Sequence, residues 1–288
     1  MYAEFDLTIP DTLEEALVAL AADGGGKTVP LSGGTNLIVD LRAQRVHADR
    51  LVGLDRVATL RGIKANGGSV TIGARTTVSD LLASADIAAA APSLVESARI
   101  FAGQMVRNTA TVAGNIACGS PAADLVPPLL VLDAEVILAS QAGTRSVALC
   151  DYYLDYKKDV RRPDELITAI SWPQRPAHSY NRFYKLARRH GDAITVTGVA
   201  VTVASEEGRC SLARIALCAV APVPLRARKT EAMLEGHVLT AALIGEAALQ
   251  AAAECTPIDD VRASAGYRKK MVEALTRRLV SEAWQSLH

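Results

Sequence analysis

The chain has 288 residues, and its 31 basic residues balance its 31 acidic residues to a formal net charge of zero. This balance disfavours a nucleic-acid partner, because no overall field attracts an anionic polymer. Half of the residues are hydrophobic, which excludes a disordered chain, and the length favours two domains.

The first elements in the chain are a helix and a strand. Thr12 and Glu15 have the spacing of a capping box and precede an apolar helical face, which predicts a helix over 12–22. Asp23 and the glycines 24–26 are expected to end it, and 28–31 reads as a short strand. The run that ends in Gly26-Lys27-Thr28 is not a phosphate loop, because Ala21 stands where that motif needs glycine and a strand follows instead of a helix.

The remaining elements alternate between strand and helix patterns, so we predict a mixed α/β protein. The predicted elements are a hairpin over 62–73, helices over 77–85 and 94–100, a hairpin over 135–149, a strand over 166–170 that ends at Trp172-Pro173, a long hairpin over 193–220, and helices over about 239–253 and 266–286. The run 172–176 is the best linker candidate. We therefore place a first domain at 1–175, with subdomains of about 1–57 and 58–175, and a C-terminal α+β domain at 176–288.

Two polar runs are interpreted as solvated surface. The tyrosines and basic residues of 152–162 could form a nucleic-acid surface, but interleaved acidic residues favour an ordinary solvated loop. The run 265–270 reads as the start of an amphipathic helix with a solvated basic face.

The scattered cysteines and histidines indicate no metal site. The five cysteines are an odd number without a C-x-x-C motif, so we expect buried thiols and no disulfide framework, zinc site or iron–sulfur site. The five histidines lack ligand spacing, and no Ser/His/Asp arrangement is visible, so metal catalysis and hydrolysis are unsupported. The N-terminus resembles no signal peptide and no apolar run approaches the ~18 residues of a membrane span, which predicts a cytoplasmic protein.

Two small-residue loops are the candidate functional site. In the first, Gly33 and Gly34 lie between a strand and another apolar stretch, where missing side chains let backbone N–H groups face a pyrophosphate. The second, 107–124, is almost free of large apolar side chains, which argues against a core strand. It offers hydroxyls at Thr109, Thr111 and Ser120 and a carboxylate at Asp124 that suits a ribose. This inventory fits a dinucleotide.

At these residues the sequence resembles the FAD-binding (medium) subunit of the molybdenum hydroxylases, the xanthine dehydrogenase and carbon monoxide dehydrogenase family. The resemblance covers nearly the whole chain and is carried by several segments: 13–16, 32–37, 107–124, 164–167, 183–189 and 262–268. It implies a vanillyl-alcohol-oxidase/PCMH-like FAD-binding domain of two subdomains, followed by a C-terminal α+β domain of the carbon monoxide dehydrogenase flavoprotein type.

The resemblance also implies a set of FAD-binding residues. Those residues are Ser32, Gly33, Gly34, Thr35, Asn36, Leu37, Phe101, Ala102, Asn108, Thr111, Gly114, Asn115, Ala117, Cys118, Ser120, Asp124, Leu166, Ile167 and Lys185. Residues 32–37 and 111–115 would wrap the pyrophosphate, and glycines 33 and 114 would leave space for it. Phe101 would stack on adenine, although a lone phenylalanine can equally pack in a core. Lys185 would place a cation near the flavin ring, although it could be an ordinary surface cation.

The implied activity is that of an oxidoreductase subunit. Electrons would come from [2Fe-2S] clusters of a small partner subunit, after a large molybdopterin subunit has oxidised the substrate, and would leave to NAD, oxygen, a quinone or another acceptor. A dimer of heterotrimers is the implied assembly. The alternatives are a stand-alone FAD-dependent reductase of the same fold, for which no serine–glutamate pair is visible, and a flavin-free scaffold subunit.

Overall fold

A computed structural model describes residues 4–22, 27–189 and 191–288. The strands are β1 (Asp6–Thr8), β2 (Thr28–Leu31), β3 (Arg50–Gly53), β4 (Ile63–Asn66), β5 (Ser69–Gly73), β6 (Glu135–Ser140), β7 (Gly143–Ala148), β8 (Tyr153–Asp155), β9 (Lys158–Asp159), β10 (Leu166–Pro173), β11 (Ser179–Ala187), β12 (Thr195–Glu206), β13 (Arg209–Cys218) and β14 (Leu225–Arg226). The helices are α1 (Leu13–Ala21), α2 (Leu37–Arg42), α3 (Val78–Ala83), α4 (Ala85–Ala90), α5 (Pro92–Arg99), α6 (Gln104–Arg107), α7 (Val112–Ala117), α8 (Val126–Leu130), α9 (Arg228–Leu234), α10 (Ala241–Ala253) and α11 (Ala265–Ser286), with single 3₁₀ turns at Ala58–Leu60 and Leu149–Asp151.

The N-terminal sheet is small and parallel. Strand β3 lies between β1 and β2 and pairs with both in the same direction. Helix α1 begins at the predicted capping box, in which the Glu15 N–H donates to the Thr12 hydroxyl at 3.1 Å. Its Leu17 and Leu20 are buried in the main core. The capping signal therefore predicted this helix correctly, whereas its predicted end at 23–26 lies outside the described residues.

The second sheet is antiparallel, in the order β4-β5-β10-β6-β7. Both of its hairpins are predicted from glycine-containing turns and are confirmed. Strand β10 pairs with β5 on one side and β6 on the other, so it joins the two hairpins into one sheet. Because β10 is central, its Leu166, Ile167 and Ile170 are buried in the main core.

The third sheet, β11-β12-β13-β14, contacts two different cores. Alternate residues of β12 point to opposite faces, as the strand period requires. Val199, Val201 and Val203 belong to a core built with α10 and α11, whereas Ala200 belongs to the main core. The sheet is therefore covered on both faces, and the C-terminal helices pack on the face away from the main core.

Three expectations about surface residues are wrong. Arg268 is only 2% exposed, because its guanidinium enters the protein and donates to the carbonyls of Val196 and Ala219. Tyr152, expected in a solvated loop, is fully buried. Cys150 is exposed and Cys118 is half-buried, whereas the other three cysteines are buried as expected.

Among the described residues, no helix combines the length and apolar character needed to cross a membrane. Within the same part of the chain, no group of three or more His, Cys, Asp or Glu side chains is placed to hold a metal ion.

Candidate cofactor-binding site

The first glycine loop connects a strand to a helix. Residues 32–36 lead from the carboxyl end of β2 into α2. The sequence predicted only an apolar stretch after this loop and did not assign it to a helix or a strand. Gly34 has φ of +66°, a conformation that side chains disfavour. The Asn36 amide donates to Asp40 Oδ2 at 3.0 Å. The loop is thus a tight turn at the edge of the parallel sheet, with exposed side chains at Thr35 and Asn36 and a half-buried Leu37.

The second loop is a turn that opens a short helix. The Thr111 hydroxyl accepts a hydrogen bond from the Gly114 N–H at 3.1 Å and so caps α7. On either side, the Val112 N–H donates to Thr76 O and the Val78 N–H donates to Ala110 O, both at 3.0 Å. This region is not a core strand, as expected from its small residues. The helix itself was not predicted, and its only signal in the sequence is the capping threonine.

The two loops touch each other. A Cβ added to Gly33 would lie 2.0 Å from the Thr109 carbonyl oxygen, and the Ser32 and Thr111 hydroxyls are 3.3 Å apart. A Cβ on Gly114 would lie 2.8 Å from the Thr111 hydroxyl. The glycines therefore leave room for neighbouring atoms of the protein itself, which the sequence did not predict.

A cleft of about 280 Å³ opens where the loops meet. It is lined by Ser32, Gly33, Gly34, Asn108 and Thr111 of the predicted residues. Hydroxyls, a side-chain amide and the N–H groups of a glycine backbone can donate hydrogen bonds to a pyrophosphate at close range. The composition of the cleft therefore fits the phosphate part of a dinucleotide.

Arg75 is a cleft residue that sequence reasoning missed. It is 5% exposed, and its NH2 donates to Asp55 Oδ1 at 2.5 Å, while NH1 donates to the Asp55 carbonyl. Burial lowers the pKa of the Arg75 guanidinium, and the Asp55 carboxylate opposes this. Arg61 also lines the cleft, so the site holds two cations and one carboxylate. The available signal was an arginine two residues after strand β5.

The structure brings Asp124 and Lys185 together in the interior. Lys185 Nζ lies 2.6 Å from Asp124 Oδ2, and the Thr195 hydroxyl donates to the other carboxylate oxygen. Burial raises the pKa of the Asp124 carboxyl, against the opposing effects of the Lys185 ammonium and the Thr195 hydroxyl. Lys185 is thus no ordinary surface cation. The pair joins the end of the 107–124 segment to the third sheet.

Several other predicted residues make side-chain hydrogen bonds in or next to the second loop. The Asn115 side chain accepts from the Leu125 N–H at 3.2 Å, and the Ser120 hydroxyl accepts from the Ala122 N–H at 3.2 Å. The Asn108 side-chain oxygen accepts from the Ser79 hydroxyl at 2.6 Å. Ala117 and Cys118 are half-buried at the end of α7, and burial raises the pKa of the Cys118 thiol.

The remaining predicted residues lie outside the cleft between the loops. Arg107 NH1 donates to the carbonyls of Phe101 and Ala102, and Ala102 has φ of +37°. Phe101 is half-buried and packs against the main core. Leu166 and Ile167 are buried in that core and do not line the cleft between the loops.

Comparison with known proteins identifies the family. Residues 3–175 match the family model "FAD binding domain in molybdopterin dehydrogenase", and residues 182–283 match "CO dehydrogenase flavoprotein C-terminal domain". The chain is 32% identical to the 6-hydroxypseudooxynicotine dehydrogenase complex subunit alpha of Paenarthrobacter nicotinovorans, over 97% of this chain and 94% of that protein. It is 31% identical to the putative xanthine dehydrogenase FAD-binding subunit of Escherichia coli, over 94% and 93%.

A solved structure agrees with these matches. The chain superposes on carbon monoxide dehydrogenase from Hydrogenophaga pseudoflava with a TM-score of 0.95 and 31% identity, over 99% of both chains. The mixed α/β fold, an FAD-binding domain followed by the flavoprotein C-terminal domain, is therefore confirmed. The relatives are subunits of dehydrogenases, which are oxidoreductases. The chain belongs to the FAD-binding medium subunits of the molybdenum hydroxylase family.

Proposed function

We propose that this protein is the electron-transfer subunit of a multisubunit molybdenum hydroxylase and holds FAD between its two glycine-containing loops. The observation that carries the proposal is the contact of the loops at Gly33 and Thr109 beside a cleft lined by hydroxyls and backbone. When bound, FAD supplies a centre that exchanges electrons singly or in pairs. Residues 32–37 and 111–115 hold the pyrophosphate in this assignment.

The remaining predicted residues have binding and tuning roles in the proposal. Phe101 and Ala102 serve the adenosine end, Asn108 lies in the cleft assigned to the phosphates, and Ser120 and Asp124 serve the ribityl and ribose region. Ala117, Cys118, Leu166 and Ile167 serve the apolar surroundings of the ring. Lys185 is buried beside Asp124, with its Nζ 2.6 Å from the carboxylate. A cation near the ring favours the anionic reduced flavin and so raises its potential.

The partners follow from what the sequence lacks. No C-x-x-C or other cluster-binding cysteine set occurs in this chain, so the [2Fe-2S] clusters belong to a small partner subunit and the molybdenum cofactor to a large one. One relative is described as a subunit of a dehydrogenase complex, and another as a carbon monoxide dehydrogenase medium chain. We propose a cytoplasmic dimer of heterotrimers that delivers electrons to an external acceptor such as NAD, oxygen or a quinone.

Spectroscopy of the separate and assembled proteins tests this function. We expect the purified chain to carry FAD in equimolar amount, and its flavin to be reduced only when the iron–sulfur subunit and the molybdenum subunit with its substrate are added. A colourless chain from flavin-sufficient cells would favour a scaffold. Reduction of the flavin by a substrate with this chain alone would favour a stand-alone reductase.

A further inference from the structure

The hairpin β8–β9 packs against the second glycine loop. The Tyr153 hydroxyl donates to the Ile116 carbonyl at 3.0 Å, near the end of α7. Tyr152 is fully buried, and its ring meets the Tyr153 ring edge to face, with centroids 4.9 Å apart. The hairpin is therefore fixed to the helix that Thr111 caps, although its sequence resembles a solvated loop.

The turn of this hairpin meets the backbone at the end of α7. A Cβ added to Gly119 would lie 2.8 Å from the Cα of Lys157. Both residues have positive φ, +61° for Gly119 and 53° for Lys157. A non-glycine residue seldom adopts this conformation unless its surroundings hold it there. The close approach thus places the Lys157 backbone against the part of the second loop that leads from α7 to Ser120.

The side chain of Lys157 reaches the other loop. Its Nζ lies 3.2 Å from Asp40 Oδ2, and the same oxygen accepts from the Asn36 amide at 3.0 Å. The Asp40 side chain is 9% exposed and that of Lys157 is 37% exposed, so solvent reaches this pair only from the lysine side. Arg45 is a second cation near Asp40, at 3.5 Å from Oδ1. Lys157 therefore contacts the second loop through its backbone and is linked to the first loop through Asp40 of α2, which accepts from Asn36.

We propose that Lys157 is a positioning residue for the FAD pyrophosphate, because it fixes the separation of the two glycine loops. The inference rests on the proposed function, in which these loops hold FAD. The first loop follows strand β2 and the second follows helix α6. A site that is already ordered binds its ligand without the entropy cost of ordering it. The two loops already meet directly at Gly33 and Thr109. The Lys157–Asp40 ion pair is a second connection between them, near Asn36.

The test compares Lys157→Met with Lys158→Met on flavin-depleted protein. Methionine keeps the stem and removes the ammonium, and Lys158 is an exposed neighbour in the same hairpin. We expect Lys157→Met to weaken FAD binding about tenfold, as loss of a charge-assisted contact would, and to shift the ³¹P resonances of the bound pyrophosphate. The unfolding temperature of the flavin-free protein should stay close to that of the parent. Lys158→Met should change neither the FAD affinity nor the ³¹P resonances.

Asp40→Asn provides the second variant, because it removes the charge and keeps a similar shape. It should weaken FAD binding to a similar degree. Parent-like affinity in both Lys157→Met and Asp40→Asn would overturn the positioning role while leaving FAD binding intact. The role is also overturned if affinity falls only in proportion to the stability of the flavin-free protein. A parent chain that binds no FAD would instead overturn the proposed function, so the two failures are distinguishable.

Discussion

The ammonium of Lys185 and the carboxylate of Asp124 form an ion pair of 2.6 Å, in which neither side chain is more than 9% exposed. The two residues are 61 positions apart, and the pair links β11 to the end of the second loop segment. The Asp124 backbone is held as well, since its carbonyl accepts from the Ser97 hydroxyl at 2.7 Å. The position of the loop therefore depends on the third sheet.

Removing one member of this pair should be costly. Lys185→Met leaves the Asp124 carboxylate buried with Thr195 as its remaining side-chain partner, and loss of one partner of a buried pair costs about 3 kcal/mol. Denaturant unfolding of the flavin-free protein measures this. In the variant the raised pKa of Asp124 should rise further, so the destabilisation should shrink as the pH falls and the carboxyl is protonated. A variant with parental stability at neutral pH would contradict the expectation.

Gly33→Ala should release FAD although it adds only a methyl group. That carbon would lie 2.0 Å from the Thr109 carbonyl oxygen, so the backbones of the two loops must separate. We expect FAD affinity to fall more than about tenfold, the equivalent of a moderate overpacking penalty. Gly68→Ala is the matched control, because a Cβ there has no neighbour within 4 Å. Flavin fluorescence titration measures the FAD affinity of both variants. Equal affinities would show that the loops move apart without cost.

Acid should weaken the protein through Glu165. Its carboxylate accepts from Arg145 Nε at 2.6 Å and from the Arg162 N–H at 2.7 Å, and chiefly the Arg145 hydrogen bond lowers its pKa from 4.5 to about 2. A carboxyl whose pKa is lower in the folded state contributes stability that is complete above pH 4.5 and is lost as the pH falls towards 2.

Glu165→Gln should remove this part of the acid dependence and cost about 2 kcal/mol at neutral pH. Unfolding free energies measured across that pH range provide the check. Glu135→Gln is the control, since Glu135 is exposed and accepts only from the Ser146 hydroxyl among the contacts described. If Glu165→Gln retained the parental pH profile, the Arg145 contact would not be the cause.

Thiol reactivity should distinguish the cysteines. Cys150 is exposed, whereas burial raises the pKa of Cys210 to about 11 and that of Cys255 to about 12. The thiolate is the reactive form, so a disulfide reagent at pH 8 should modify Cys150 rapidly and the buried thiols slowly. Cys150→Ser should abolish the fast phase. A fast phase that persists in this variant would point to Cys118, and its suppression by FAD would then support the predicted role of Cys118.

The sequence predicted local structure where a few neighbouring residues determine it. The capping box at Thr12 and Glu15 specified α1, and the turn at Gly67 specified the hairpin of β4 and β5, because both signals act within a few residues. The six-residue helix α7 was not predicted, since its small side chains give no apolar periodicity.

The tertiary contacts of charged side chains could not be predicted from the sequence. Lys157 and Arg268 were expected on the solvated surface, and Arg75 was not singled out. Charge patterns do not show which carbonyl or carboxylate the fold brings near a cation. The two glycine loops were predicted as one site, but the contact between them was not. The domain division at residue 175 stays a prediction. Arg175 itself donates to the Ala90 carbonyl at 2.8 Å, so this part of the chain is tethered.

The contact at Gly33 also has a genetic consequence. Every missense single-base change in a glycine codon introduces a Cβ atom, and at this position that atom would meet the Thr109 backbone. We therefore expect that no amino-acid replacement reachable by one base change at codon 33 retains FAD binding. In a saturation-mutagenesis screen selected for flavin retention, synonymous changes should be the only survivors at this codon, whereas codon 68 should accept many replacements.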